Sequence, residues 1–233
     1  MDPASVESQL RGRFGRPYIY REQCPTTQEL VRGLPEGAVA AADEQTAGRG
    51  RRGRPWIAPP GSAILFSLSL RPQIAPERLA AFSLVAAEAV CEATSPEAAV
   101  RWPNDVIAGG AKLAGVLCEL REGQLVVGVG INANLSEDEL PAGTRLPATS
   151  LQILRGGPVA RAAVLADVLW ELEVRYDRYA AHGFEGLERD ELRGRTVHLV
   201  GGASGPAEGV DELGRLLVAG KAHSSAEVER LDA

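Results

Sequence analysis

The stretch AVRWPNDVIAGGAKLAGVLCELREGQLVVGVGINAN, residues 99–134, consists of three apolar segments separated by short turn signals. The turns are marked by Gly109-Gly110 and by Glu122-Gly123. Segments rich in Val, Ile and Leu favour strands, and glycine in such pairs favours a tight hairpin turn. Since strands joined by short turns run antiparallel, this stretch predicts three antiparallel strands, the first of which covers residues 99–110.

Two more strands are predicted upstream of this stretch. In AILFSLSLRP, residues 63–72, every second residue from 64 to 70 is apolar, which is typical of a half-buried strand. Residues 38–42 form a short apolar run that also predicts a strand. A short helical segment at 27–34 follows the turn signal Cys24-Pro25.

Two helices are predicted from apolar residues that recur every three or four positions. The first begins at Pro76-Glu77 and ends before Pro96. The second covers residues 158–181 and is closed by His182-Gly183. The apolar stripe of the first helix contains Leu79, Phe82, Leu84, Val85, Ala89 and Val90.

The chain changes character from Arg195, where short apolar segments alternate with glycine-rich turns. This pattern predicts a small barrel-like unit of about 40 residues, which is near the size at which independent stability fails. We therefore expect this unit to pack against the rest of the chain. The predicted domains are residues 1–190, with a mixed, largely antiparallel sheet and flanking helices (α/β or α+β), and residues 191–233.

The composition is that of a globular protein: 45% of the 233 residues are hydrophobic, the net charge is −6 and the pI is near 5.3. The N-terminus has no apolar segment typical of a secretion signal, and no apolar run is long enough for a membrane span. Three cysteines at scattered positions, Cys24, Cys91 and Cys118, predict free thiols rather than disulfides or a zinc site. We expect a cytoplasmic protein without membrane contact.

The arginine loop, AGRGRRGRPW at residues 47–56, matches the dinucleotide-binding pattern G-x-G-x-x-G. The interleaved arginines, Pro55 after them and the lack of an acidic residue about 20 positions later contradict that function. A single basic loop in an acidic chain instead suits a small anionic ligand such as a nucleotide. A solvated, arginine-rich surface loop is the alternative.

Lysine is rare in this chain, where Lys112 and Lys221 are the only two among 25 lysines and arginines. An ammonium on a slim stem fits between a carboxylate and a phosphate where a planar guanidinium does not. Lys112 is therefore a candidate catalytic residue, and an exposed strand lysine is the alternative interpretation.

Five motifs, GRGRRGRPW, RWPNDV, KLAGVLCEL, VGVGINAN and ATSL, occur in this order between residues 48 and 151. Together they resemble the biotin protein ligases, also called biotin–acetyl-CoA-carboxylase ligases, and the resemblance covers residues 25–231. It implies a catalytic domain related to class II aminoacyl-tRNA synthetases and lipoyl ligases, followed by a small SH3-like barrel at 191–233. Because few residues precede the first motif, we expect the monofunctional form without an N-terminal DNA-binding domain.

The resemblance implies a biotin site that spans several motifs. Thr26, Thr27 and Gln45 match positions around the ureido ring, which needs hydroxyl and amide partners in an otherwise apolar pocket. The family usually has Ser-Thr-Asn where this chain has Pro25-Thr26-Thr27, so one hydroxyl is missing. The implied biotin-binding residues are Thr26, Thr27, Gln45, Gly48, Arg49, Gly50, Arg51, Lys112 and Gly115.

The resemblance also implies a nucleotide site, in which Trp56 stacks on adenine. Asp105 is the candidate ligand for Mg²⁺, because Mg²⁺ bound with ATP takes one or two carboxylates. A core position for Trp56 and a strand-ending Pro-Asn-Asp turn are the alternatives. The implied adenylate-binding residues are Arg51, Arg54, Trp56, Asn104, Lys112 and Asn132, and the implied catalytic residues are Lys112, Arg49 and Arg51.

The implied activity is ATP-dependent ligation of biotin to a protein. Biotin and MgATP would give biotinyl-5′-AMP, which a lysine of a biotin carboxyl carrier domain would then attack. No tightly bound prosthetic group and no nucleic acid are expected, and a homodimer is allowed. A lipoate or octanoate ligase and a nucleic-acid-binding module are the alternatives; RWPND beside the arginine loop disfavours the first, and Lys112 with the acidic composition disfavours the second.

Overall fold

The computed structural model describes residues 1–142, 144–224 and 226–232, apart from the side chains of residues 79 and 80. The prediction that Leu79 belongs to an apolar helix stripe therefore lies outside the described residues. Within these ranges the chain forms a seven-stranded sheet, flanking helices and a second, five-stranded sheet. The predicted mixed α/β fold is confirmed.

The larger sheet has one parallel pair and is otherwise antiparallel. In space its strands follow the order β1-β2-β3-β7-β6-β5-β4, and β1 and β2 are the parallel pair. The predicted mixed, largely antiparallel sheet is thus confirmed. The strands are β1 (Tyr18–Cys24), β2 (Val39–Gln45), β3 (Ala63–Leu70), β4 (Ala99–Arg101), β5 (Asp105–Ala108), β6 (Ala111–Arg121) and β7 (Gln124–Asn132).

Two long helices pack together on one face of this sheet. These two are α3 (Phe82–Thr94) and α5 (Arg161–His182), and the shorter helices of the described residues are α1 (Pro3–Glu7), α2 (Thr27–Leu30) and α4 (Leu151–Arg155). The rings of Phe82 in α3 and Tyr176 in α5 meet edge to face, with centroids 5.7 Å apart. Both predicted helices are confirmed, but Pro76–Ala81 forms a 3-10 turn, so the α-helical part of the first starts at Phe82. Ala81, the residue before it, has no side chain that can cap an α-helix.

The two faces of the sheet differ because successive side chains of a strand point to opposite sides. In β7 the odd-numbered residues belong to the main core, which α3 and α5 complete. The even-numbered residues Gly128, Gly130 and Asn132 line a cleft on the opposite face. Glycine, with no side chain, leaves room above the sheet at two of these three positions.

Two strand predictions are corrected by the structure. Residues 99–110, predicted as one strand, form β4, a turn and β5, which pair antiparallel. The Pro-Asn-Asp turn weighed as an alternative is therefore present, because Pro103 cannot donate to a ladder. The second correction concerns β3, which was predicted to be half-buried and is buried on both faces. Its polar residues are paired there: Ser67 bonds Thr27, and Ser69 donates to the Leu34 carbonyl.

The smaller sheet packs against the larger domain, as expected from its size. Trp102 Nε1 donates to the Gly214 carbonyl at 3.0 Å, and buried residues of this sheet join the main core. The boundary after residue 190 and the SH3-like character of this unit remain predictions. None of the helices in the described ranges is long and apolar enough to cross a membrane. The strands are β8 (Thr196–Leu199), β9 (Ser204–Val210), β10 (Leu216–Val218), β11 (Lys221–His223) and β12 (Val228–Leu231).

Candidate active site

The arginine loop joins β2 to β3, and its two arms are hydrogen-bonded to each other. Arg49 forms an isolated bridge with Pro55, and Gly50 N donates to the Arg54 carbonyl at 2.7 Å. At its tip Arg52 adopts a left-handed conformation with φ of 58°. The chain then continues into β3 instead of the helix that a dinucleotide-binding turn requires, in agreement with the rejection of that motif.

The loop forms one wall of a cleft of about 490 Å³ on the sheet face opposite α3 and α5. Gly48 is buried, and a Cβ at this position would lie 2.6 Å from the carbonyl oxygen of Trp56, so a side chain would force the ends of the loop apart. The structure therefore brings the predicted site residues together, and their individual roles remain predictions. Those that line the cleft are Thr26, Thr27, Gln45, Arg49, Gly50, Arg51, Arg54, Trp56, Asn104, Asp105, Lys112, Gly115 and Asn132.

One end of the cleft is neutral and polar. The backbone N–H of Thr27 donates to Gln45 Oε1 at 2.7 Å, and Thr27 Oγ1 lies 3.2 Å from the same oxygen. Ser67 Oγ, fully buried, lies 2.8 Å from Thr27 Oγ1. Because a backbone N–H can only donate, the amide orientation of Gln45 is fixed with Oε1 toward Thr27. Nε2, which has no hydrogen-bond partner among the described residues, is then free to donate to a ligand.

Thr26 has a local structural task at this end of the cleft. Its hydroxyl accepts from Gln28 N at 3.4 Å and so caps the first turn of α2. Pro25 stands where the family usually has a serine and offers no hydroxyl, so the hydroxyls at this end of the cleft are those of Thr26, Thr27 and Ser67. Ser67 was not predicted from the sequence, because alternation in β3 only placed it on the polar face.

The floor of the cleft is made of glycines under the ring of Trp56. A Cβ on Gly130 would lie 2.6 Å from the Trp56 ring, and one on Gly115 would lie 3.2 Å from it. Trp56 is half-buried and lines the cleft, while its Nε1 is buried and has no partner among the described residues. Trp56 is not part of the main core, but it packs against a smaller apolar cluster that contains Ala63, Leu65 and Leu135. Gly130, a flat support for the indole, is a residue that the sequence analysis missed.

Lys112 stands at the centre of the cleft, at the start of β6. Its Nζ lies 2.6 Å from Asp105 Oδ1 in β5 and 5.6 Å from the centroid of the Trp56 ring. The Lys112 side chain is 30% exposed, so the ammonium is directed by Asp105 yet open to a ligand. This position is not that of a freely solvated strand lysine.

The two predicted asparagines are held by the backbone. Asn104 Nδ2 donates to the Val116 carbonyl at 2.7 Å. Asn132 Nδ2 donates to the Thr149 carbonyl at 3.0 Å. Both amides therefore fix the walls of the cleft, and Oδ1 is the atom that each could offer to a ligand.

The other end of the cleft is cationic. Burial lowers the pKa of Arg51, and the positive charge of its neighbour Arg52 lowers it further. Arg145, which no motif indicated, adds a guanidinium from the segment after β7. Of the residues that line the cleft, Asp105 is the carboxylate that faces these cations. An anionic ligand fits this end, since neighbouring cations that repel one another are stabilised by a shared anion.

A protein-built metal centre does not fit this site. Among the described residues no group of three or more His, Cys, Asp or Glu is placed to hold a metal ion. Asp105 is engaged by Lys112. A Mg²⁺ ion that enters with a triphosphate needs only one or two protein carboxylates, so Asp105 fits such an ion as a single ligand.

Comparison with known proteins identifies the family to which the chain is related. The model of the biotin/lipoate A/B protein ligase family matches residues 20–136. The bifunctional ligase/repressor BirA of Bacillus spizizenii is 34% identical over 229 residues, which cover 88% of this chain and 70% of that protein. The biotin–[acetyl-CoA-carboxylase] ligase of Mycobacterium tuberculosis is 34% identical over 197 residues, covering 78% of this chain and 73% of that protein.

A solved structure with ligands shows the same fold. The biotin protein ligase from Aquifex aeolicus in complex with biotin and ATP superposes with a TM-score of 0.77 at 29% identity, covering 92% of this chain and 97% of that one. The resemblance to biotin protein ligases stated from the five motifs is confirmed. The chain belongs to the biotin/lipoate A/B protein ligase family.

Proposed function

We propose that the chain is an ATP-dependent biotin protein ligase. In the first step an oxygen of the biotin carboxylate attacks the α-phosphorus of ATP, the bond to the β-phosphate breaks, and pyrophosphate leaves. In the second step the ε-amine of a carrier lysine attacks the carbonyl of biotinyl-5′-AMP, AMP leaves, and the amine loses a proton. The acceptor is a biotin carboxyl carrier domain of a biotin-dependent carboxylase.

The observation that carries this proposal is the polarity of the cleft along its length. A neutral donor, Gln45 Nε2, is fixed at one end by Thr27. Lys112 lies beside Gly115 in the middle of the cleft, and the arginines line the other end. Biotin has the matching order of groups: a neutral cyclic urea, an apolar chain and a carboxylate, which the nucleotide phosphate then joins.

The cations at the reacting end supply the electrostatic part of catalysis. Attack of a carboxylate on a phosphate brings like charges together, and donors aimed at that charge are worth about 3 to 4 kcal/mol each in enzymes. Lys112 would bridge the biotin carboxylate and the α-phosphate, while Arg49 and Arg51 bind the phosphate. The arginine loop would close over the adenylate and exclude water, which otherwise hydrolyses the mixed anhydride.

Mg²⁺ would arrive bound to the phosphates of ATP, with Asp105 as its protein carboxylate. Trp56 would stack on the adenine, supported by Gly115 and Gly130. Dimer formation, the absence of nucleic-acid binding, the absence of a prosthetic group and a cytoplasmic location stay predictions.

Acid-dependent pyrophosphate release tests the substrate assignment. The purified protein is incubated with MgATP and either biotin or lipoate, and pyrophosphate is measured before and after a biotin carboxyl carrier domain is added. We expect release with biotin but not with lipoate, because lipoate has no urea to accept from Gln45. Equal release with both acids would overturn the biotin assignment.

A further inference from the structure

One carboxylate of the C-terminal unit lies against the arginine loop, outside every motif identified in the sequence. Glu227, next to β12, pairs with Arg54 at 2.7 Å and with Arg52 at 3.1 Å. It also lies 3.6 Å from Arg145, on another wall of the cleft. The Glu227 side chain is 19% exposed, whereas the three guanidinium side chains are 38% to 58% exposed. A single, mostly buried anion therefore gathers cations from two separate segments.

Among the described residues, the backbone hydrogen bonds of the loop hold its shape and its base rather than its tip. Its backbone hydrogen bonds, such as Gly50 to Arg54 and Trp56 to Gly48, join loop residues to one another. They give the loop its shape, and the Ala47 N–H, which donates to the Pro25 carbonyl at 2.9 Å, fastens the base of the loop to the body of the protein. Arg52 and Gly53 at the tip both have positive φ, and this part of the loop is exposed. Glu227 ties the tip to the smaller sheet.

The charges explain why such a tie is needed. Arg52, Arg54 and Arg145 carry three like charges around one position, and Arg51 adds a fourth next to them. Like charges this close repel, and without a counter-ion the loop would move outward into water. Glu227 offsets that repulsion but leaves a net positive charge, so the cleft remains attractive to phosphate.

We propose that Glu227 is a positioning residue that holds the arginine loop over the cleft, so that the C-terminal unit controls how long the adenylate stays bound. This inference rests on the proposed ligase function. Glu227 does not touch the reacting atoms; it acts through Arg52 and Arg54. The expected consequence of its loss is faster escape of biotinyl-5′-AMP, with a smaller effect on its formation.

The experiment compares Glu227→Gln with Glu229→Gln, which removes an exposed carboxylate two residues away on β12. Each protein forms biotinyl-5′-AMP in a single turnover, and release of the adenylate is followed after rapid dilution. Glu227→Gln should release it about fivefold faster, the scale expected for two partly exposed ion pairs, and Glu229→Gln should match the wild type. Glu227→Asp, which keeps the charge, should restore part of the retention; a purely structural role would not predict this rescue.

A second variant covers the case in which Glu227→Gln does not fold. Arg52→Gln removes one of the same ion pairs from the loop side and should also speed release. Where all variants fold, the double variant Arg52→Gln/Glu227→Gln should release the adenylate little faster than Glu227→Gln alone. Wild-type release rates in Glu227→Gln, or in Arg52→Gln if only that variant folds, would overturn the inference. A wild-type protein that forms no adenylate would instead contradict the proposed function.

Discussion

The two ends of the cleft bind by different physical means. At the neutral end, Thr27, Gln45 and Ser67 hold one another by hydrogen bonds in a largely buried network, which exists without a ligand. At the cationic end, exposed arginines, most of them on a glycine-rich loop, repel one another and are gathered by Glu227. The neutral end is therefore organised for recognition in advance, whereas the cationic end is completed by its anion.

This difference separates selectivity from catalysis. A fixed donor such as Gln45 Nε2 discriminates between ligands that accept a hydrogen bond and ligands that do not, because the wrong ligand leaves it unpaired. Cations at the reacting centre stabilise charge that moves during the reaction and so affect the rate. Changes at the two ends should accordingly alter different kinetic constants.

The largest effect is expected from Lys112→Gln, which removes the ammonium between the two ends. Single-turnover formation of biotinyl-5′-AMP should slow by about a hundredfold to a thousandfold, while biotin affinity changes less. Lys112→Arg should also be slow, because a guanidinium is too broad to bridge carboxylate and phosphate beside Asp105. Lys221→Arg, on exposed β11, is the control and should be nearly neutral.

Asp105 provides a check on the cause of that loss. Without Lys112 its carboxylate is unpaired and would repel the phosphate. In the double variant Lys112→Gln/Asp105→Asn this repulsion is gone, but the carboxylate proposed for Mg²⁺ is gone as well, so the reference is the single variant Asp105→Asn. Adenylation should be much slower in the double variant than in Asp105→Asn if Lys112 itself contacts the reacting groups. Equal rates in these two variants would contradict the catalytic role of Lys112.

A smaller effect, confined to selectivity, is expected from Gln45→Glu. The change keeps the shape but replaces the donor at Nε2 by an acceptor, so the KM for biotin should rise roughly tenfold to a hundredfold. The KM for 2-iminobiotin, in which a guanidinium with N–H donors replaces the urea carbonyl, should rise much less. Pyrophosphate release with the two acids measures the preference, with Gln73→Glu, exposed and outside the cleft, as the control. If the ratio of the KM values for the two acids is the same in Gln45→Glu as in the wild type, Gln45 does not donate to the carbonyl of biotin.

The sequence predicted the cationic end better than the neutral end. Arginines interleaved with glycines form a contiguous motif whose charge alone indicates an anion. Ser67 was found only in the structure, because its partner Thr27 is 40 positions away and a serine in an alternating strand carries no signal of its own. The same holds for Glu227, which lies 173 positions from Arg54. Contacts between distant segments depend on the packing of the fold, which local patterns do not contain.

Strand boundaries in the fold show a similar limit. The hairpins of residues 99–134 were predicted from their glycine turns, but Pro103 was placed inside a strand that it in fact interrupts. The parallel strand β1 was missed because its residues do not alternate between apolar and polar: Arg21, Glu22 and Gln23 are polar and exposed in succession. Regular periodicity and turn residues were sufficient to predict the strands in which they occur, and the edge strand β1 has neither.

The smallest effect, and the most direct comparison of the two ends, is expected from salt. Raising NaCl from about 0.1 M to about 1 M shortens the screening length from about 10 Å to about 3 Å, which weakens exposed charge pairs and leaves buried neutral hydrogen bonds almost unchanged. Biotinamide, which has the urea but no carboxylate, should bind the neutral end with a Kd that changes less than about twofold. ATP, for which we propose binding by the arginines, should bind several-fold more weakly, as measured by calorimetry under the same conditions. A biotinamide affinity that falls as steeply as that of ATP would show that the neutral end also depends on charge, and the division between the two ends would then be wrong.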